Sequence, residues 1–331
     1  MARKIRYLLL TRGGSYFPQL LKEGVLQPGL YNWRRVFDEG RVARLDQIAL
    51  SELENYDIIH VNLCGADVGL VSEVKDRLRG SSTCVVCNLD YAVEFLDPQH
   101  IPNLPKLFKD LMVADLVFAV EPYQQDLLRY VLKYAGKRDK PYVPLIPHPV
   151  DTKGLKKLGD VVEVDDKVDV VLCYWHRYSN NVYQLSMLTQ EMPVLTCLVG
   201  VKPEGMPVNA KFFDLAMFYS QWKKYSYFAI HAMYGLDYIT YHTHGRVSSE
   251  AACWRIGFVG TKFNYTASEL YPDTTFYPWE MDKMRESLMK MVKDDELWEK
   301  VTSYAYQEVE KFGYGVAKAR LIGALQTVGR W

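Results

Sequence analysis

Charge of one sign is missing from this chain. Across 331 residues, 40 Lys and Arg are matched by 40 Asp and Glu. That balance excludes a general polyanion binder and leaves open only a local basic patch. Long hydrophobic runs are missing too, since no apolar stretch nears the roughly 18 residues of a membrane span. The apolar run within the first ten residues is too short for a signal peptide and leads straight into Thr11-Arg12-Gly13-Gly14, so a cytoplasmic protein is expected. Cysteine is scarce: six in a chain this long make no disulfide framework, and a reducing compartment keeps them as thiols. There is no solenoid repeat, no low-complexity segment, no G-x-G-x-x-G fingerprint at the first glycine loop and no P-loop Lys-Ser/Thr.

What is present suits a large folded protein. Hydrophobic residues make up 49% and charged residues 24%, which permits a sizeable core and excludes global disorder. The length predicts about two domains. The 24 Tyr are many and fit an open cleft with sugar or base contacts, or a compositional habit of the source.

Short apolar runs alternate with amphipathic stretches. Residues 5–10, 57–63, 84–89, 116–120 and 142–146 read as strands. Pro122 is a good first helical residue, and Leu127, Leu128, Val131, Leu132 and Ala135 follow it at helical spacing. The segment 147–166, with Pro147, Pro149, Gly154, Gly159 and a Lys cluster, reads as an interdomain linker. The pattern then restarts with strands at 168–174, 194–199, 236–241 and 257–260, and a mostly helical tail over 282–325. Repeated βα alternation predicts α/β architecture, two doubly wound parallel sheets. Two such domains on one linker create a cleft, with ligands expected beyond the carboxyl ends of the strands.

Several motifs carry two readings. Gly13-Gly14 lets a backbone approach a ligand closely, or is an ordinary tight turn. Cys84 and Cys87 lie three apart in an apolar strand and so on opposite faces, which argues against a shared zinc ion. His242 and His244 lack a local third ligand. Residues 129–142 interleave Arg129, Lys133, Lys137, Arg138 and Lys140 with Tyr130, Tyr134 and Tyr142. They are either a solvated face or a patch for an anionic lipid surface or nucleic acid. In the stretch 237–260, a glycine loop leads into a helix expected to begin around Glu250. The amides of 245–249 would suit a phosphate, Arg246 adds charge, and Glu250 is a natural acceptor for a ribose diol. The alternative is a simple helix cap, with Ser248 or Ser249 as its first residue.

These pieces, in their order, resemble a GT-B-fold glycosyltransferase of the retaining family 4 type over nearly the full length. His242, Gly245, Glu250-Ala251-Ala252 and Gly257-Phe258-Val259-Gly260 are similar to that family's E-x7-E segment. Asp57-Ile58-Ile59-His60 resembles its D-x-x-H strand, Ile146-Pro147-His148-Pro149-Val150-Asp151 its N-G-V-D segment, and Leu198-Val199-Gly200 its I-V-G strand end. Phe312-Gly313-Tyr314 precedes a last helix as the family's F-S-W-like segment does. The chain departs from the pattern in three places. His242 replaces the first Glu, Val182 stands where a Lys follows the family's Gly-Arg, and the usual His after the fourth strand falls near Leu89, followed by Asp90.

The resemblance implies two Rossmann-like domains facing a central cleft. The first is residues 1–150, on the acceptor side. The second, 151–312, binds the nucleotide sugar, and a final helix over 313–331 packs back on the first. It implies a metal-independent, retaining, hexosyltransferase-like enzyme with a UDP- or GDP-sugar donor and no other cofactor. His242 and Asp90 take the catalytic positions. Arg177, Gly245, Arg246, Ser248, Ser249, Glu250 and Gly200 take the donor, and Gly13 and Gly14 lie on the acceptor side. The acceptor is open among saccharide, lipid, protein and nucleic acid. The alternatives are a nucleotide-sugar epimerase of the same fold, using carboxylates such as Asp90, Glu94 or Glu121, and a non-catalytic nucleotide- or sugar-binding relative.

Overall fold

Two runs of six, Ile58–Leu63 and Cys84–Leu89, are buried at every position. Only a parallel strand covered on both faces accommodates such runs. They are the centre of the first of two units in a computed structural model. The structure describes residues 4–13, 29–89, 101–134, 139–161, 170–172, 196–199, 210–213, 228–231, 246–277 and 279–331.

The first unit comprises Met1–Asp151 and Phe312–Trp331. Its elements are β1 (Arg6–Thr11), α1 (Gly29–Val36), β2 (Glu39–Arg44), α2 (Leu50–Leu53), β3 (Ile58–Leu63), α3 (Leu70–Arg77), β4 (Cys84–Leu89), α4 (Leu104–Val113), β5 (Leu116–Val117) and α5 (Pro122–Tyr134). The sheet is parallel throughout, in the order β2-β1-β3-β4-β5. Side-chain alternation splits the core in two. Leu8, Ile59, Val85 and Cys87 pack with residues of α3, α4 and α5 on one face. Tyr7, Ile58, Cys84 and Val86 pack with Trp33 of α1 and with Leu321 and Leu325 of the last helix on the other. Cys84 and Cys87 therefore lie on opposite sides of the sheet. The segment 142–146, expected as a strand, contributes only an isolated bridge between Leu145 and Ala119.

The second unit is Thr152–Lys311. It holds α6 (Thr152–Val161), β6 (Val170–Leu172), β7 (Thr196–Val199), β8 (Ala210–Phe213), β9 (Phe228–His231), α7 (Arg246–Cys253), β10 (Gly257–Thr261), α8 (Tyr265–Leu270), β11 (Thr275–Phe276), α9 (Met281–Lys293) and α10 (Asp295–Glu308). The last helix, α11 (Tyr314–Thr327), belongs to the first unit. The second sheet is also parallel, ordered β8-β7-β6-β9-β10-β11. That is the 3-2-1-4-5-6 order of a Rossmann sheet, with its switch point between β6 and β9.

One expectation is refined here. The segment expected as a linker contains α6, with Leu155 buried and its carbonyl accepting the Trp254 indole N–H at 2.8 Å. Val150, just before α6, is buried in the first unit, its amide donating to Phe312 O at 2.9 Å. The chain does pass from the first unit to the second within this segment, at Asp151–Thr152, and the second unit opens with an amphipathic helix rather than with irregular chain. The strand expected at 236–241 lies outside the described residues, and the last described strand before α7 is β9.

Candidate functional site

In the second unit the site is built on α7. Residues 254–256 separate α7 from the amino end of β10, and the Ile256 amide turns back to Ala251 O at 2.9 Å. Arg255 takes φ 54° at this turn, and its guanidinium holds Glu299 and Ser303 of α10. The C-terminus of α7 is thus at the amino edge of the sheet, and its N-terminus points towards the carboxyl edge, where ligands of such sheets bind.

α7 starts at Arg246, four residues before the expected start. Val and two Ser are weak helix formers, but burial of Ser248, Ser249, Ala251 and Ala252 against α6 and α8 overrides their propensity. Ser248 and Ser249 are therefore inside the helix and neither is its cap. Ser248 Oγ lies 2.6 Å from Thr266 Oγ1 in α8, which commits that side chain to packing α8 on α7. Ser249 Oγ is fully buried and has no hydrogen-bond partner among the described residues. Glu250 is only 3% exposed and occupies the second turn. The orphan amides at the start of α7 and the positive end of its dipole suit an anion. Arg177, Gly200, His242 and Gly245 lie outside the described residues.

In the first unit, the loop after β1 is stapled shut by Asp67. Its carboxylate accepts from Thr11 Oγ1 at 2.9 and 3.0 Å and from the Arg12 amide at 2.5 Å. The Gly13 amide donates to Thr11 Oγ1 at 3.0 Å. Gly13 has φ 121°, a conformation other residues rarely adopt. The described part of the loop therefore spends its amides internally, and the glycine serves the turn. Gly14, Asp90 and Glu94 lie outside the described residues.

Sequence reading missed a buried polar chain beside this loop. Tyr7 Oη lies 2.5 Å from His60 Nδ1, His60 Nε2 lies 2.6 Å from Asn88 Oδ1, and Asn88 Nδ2 donates to Asn62 Oδ1 at 2.8 Å. Burial lowers the His60 pKa to about 3, so the ring is neutral. Only the D-x-x-H pattern hinted at His60, and no local signal joins residues of three strands. Glu121, at the carboxyl edge after β5, accepts from the amides of Tyr123 at 2.8 Å and Gln124 at 2.6 Å. Both of its oxygens thus cap α5, and burial raises its pKa to about 7. This engagement counts against Glu121 as the sugar-facing base an epimerase needs. Among the described residues no three His, Cys, Asp or Glu cluster as metal ligands, and no helix is long and apolar enough to cross a membrane.

The exposed face of α5 carries Tyr130 and Tyr134 with ring centroids 4.5 Å apart, and Lys133 sits 5.7 Å from the Tyr134 centroid. Arg129 is paired with Asp126 at 3.3 Å. Residues 135–138 lie outside the described residues.

No family profile matches the chain, and no curated protein matches it in sequence. Solved structures do match. Anabaena HepE in complex with UDP and glucose has a TM-score of 0.66 at 16% identity, covering 98% of this chain and 100% of its own. An alpha-glucosyltransferase in complex with UDP and a 13-mer DNA containing an HMU base has 0.65 at 13%, covering 99% and 100%. The trehalose-6-phosphate synthase OtsA has 0.68 at 10%, covering 97% and 99%; an E. coli form bound with UDP-2-fluoro glucose gives the same TM-score. The fold is GT-B. Its two Rossmann-like units are the two parallel sheets described above, and the likeness at these identities is one of fold.

Proposed function

We propose that this chain is a glycosyltransferase that moves a sugar from a nucleotide-sugar donor, a UDP-sugar, to an acceptor, with retention of configuration and without a metal. The observation that carries the reading is the buried carboxylate of Glu250 on α7, in a sheet of 3-2-1-4-5-6 order. Full-length likeness in fold to proteins solved with UDP or UDP-sugars supports it.

In this reading the second unit holds the donor. Glu250 accepts the ribose hydroxyls, and the base lies near Gly200. Arg177, Arg246 and the amides of the first α7 turn hold the diphosphate. As the glycosidic bond breaks, negative charge grows on the leaving diphosphate. Fixed N–H donors and guanidinium groups stabilise that charge without reorganising. His242 and Asp90 are the residues assigned to the sugar. The first unit serves the acceptor, with the 13–14 loop beside it. The acceptor's class stays open among saccharide, lipid, protein and nucleic acid. The Tyr130–Tyr134 pair with Lys133 and Lys140 supports a contact with an anionic surface, and the cytoplasm is the compartment assigned.

The experiment is UDP release from UDP-glucose by the purified full chain, with and without a saccharide panel. Turnover above the buffer rate is expected. Tight UDP binding with no turnover on any UDP-sugar would instead favour the non-catalytic relative, the reading that His242 in place of a glutamate supports.

A further inference from the structure

The buried chain from Tyr7 to Asn62 has only one consistent set of proton positions. The Leu89 carbonyl can only accept, and Asn88 Nδ2 lies 2.9 Å from it. Asn88 therefore turns its Nδ2 edge to Leu89 and its Oδ1 edge to His60. His60 Nε2 must then carry the ring proton, and Nδ1 accepts from the Tyr7 hydroxyl. The same Asn88 Nδ2 donates to Asn62 Oδ1, which fixes the Asn62 amide with its own Nδ2 turned away from Asn88. That NH2 group has no hydrogen-bond partner among the described residues, although Asn62 is only 2% exposed.

A buried amide donor without a partner is costly and rare in a settled core. A four-residue network that points it in one direction is a feature of a site rather than of packing. Its place in the sheet agrees. The order β2-β1-β3-β4-β5 reverses direction between β1 and β3, so the ligand crevice of this unit lies beyond the carboxyl ends of those two strands. Asn62 is the penultimate residue of β3, in register with Asn88 on β4. On the other side of the switch point, β1 runs into the Thr11–Gly13 turn.

We infer that Asn62 is a ligand-binding residue of the first unit, donating from Nδ2 to a hydroxyl or ring oxygen of a saccharide acceptor. His60 and Asn88 are its positioning residues. The chain that orients Asn62 is neutral from end to end, with His60 held uncharged by burial, so it presents a dipole rather than a charge. That chemistry matches a sugar oxygen better than a phosphate. The inference rests on the glycosyltransferase reading, in which this unit serves the acceptor, and names the acceptor's class.

Two variants test it. Asn62→Asp keeps the oxygen that Asn88 needs and removes the donor, while Asn62→Leu removes the polar group altogether. The full chain is titrated calorimetrically with UDP, then, at saturating UDP, with D-glucose, D-galactose and D-mannose. Melting temperature is recorded on every sample. The expected result is at least one hexose that binds the wild type and binds both variants at least tenfold worse. UDP affinity should be unchanged in both variants. A hexose that binds both variants as well as the wild type overturns the inference, as does wild-type protein that binds UDP but none of the three hexoses. Neither outcome touches the donor reading. If wild-type protein fails to bind UDP, the donor reading falls instead, and the hexose titrations repeated without UDP still judge Asn62. A lower melting temperature in Asn62→Leu with unchanged hexose affinity assigns the residue to the core.

Discussion

Trp33 Nε1 donates to His148 Nδ1 at 3.0 Å, tying α1 to the segment that leaves the first unit. The bond requires a bare Nδ1, and burial holds the His148 pKa down at about 4. His60, whose ring lies 5.6 Å from Trp33 edge-on, is lowered to about 3, by burial first and then by the nearby His148. Both histidines belong near pKa 6.5 when unfolded. Below that pH the unfolded chain takes up protons that the folded chain refuses. Their contribution is complete above pH 6.5 and is lost as the pH falls, at about 1.4 kcal/mol per unit for each histidine. Glu121 opposes them. Its pKa is raised from 4.5 to about 7, so the folded state takes up that proton first and gains stability as the pH falls through this window. Asp110, also raised by burial, acts in the same sense as Glu121, and between pH 6.5 and 4.5 the two histidines, both held far below 6.5, set the sign as a net loss with acid. The melting temperature should drop from pH 7 to pH 5, and His148→Gln, which keeps an acceptor for Trp33, should flatten that drop. An equally steep drop in the variant would show that His148 is not one of the groups responsible.

Much of the sheet framework was legible because β3 and β4 are buried on both faces and so read as mostly apolar runs, interrupted only by His60, Asn62 and Asn88. β2 was not. Its sequence, Glu-Gly-Arg-Val-Ala-Arg, belongs to an edge strand in which only Val42 and Ala43 are buried. The start of α7 was misread because tertiary burial of Ser248 and Ser249 outweighs their local preference for caps. A candidate site can be nominated from sequence where its residues sit in one short stretch, as with Arg246 to Glu250. It was illegible where it depends on side chains that meet across strands: Asn62 and Asn88 are 26 positions apart and neither is marked by its neighbours.

Arg177, which follows β6 in sequence, is assigned to the donor diphosphate. Arg177→Ala should weaken UDP binding by about 1.5–3 kcal/mol, the size of a hydrogen bond to a charged group. Calorimetry that returns the wild-type affinity would remove this residue from the donor site.

Helix amides and guanidinium groups are assigned the charge of the departing diphosphate, so turnover should survive EDTA. Activity abolished by chelation and restored by magnesium or manganese would require a different donor site.

Glu250 carries the central claim, and its two possible roles separate in one pair of measurements. A carboxylate that only tunes the helix dipole contributes about 0.3–1 kcal/mol to stability. One that accepts ribose hydroxyls shows instead in donor affinity. Calorimetric titration of UDP into wild-type protein and Glu250→Gln, with melting temperatures on the same samples, is the most direct test. The account predicts wild-type binding, a variant that folds normally, and UDP affinity in the variant at least roughly tenfold weaker, about 1.4 kcal/mol. Equal UDP affinity in a well-folded variant, or no UDP binding by the wild type, would contradict it.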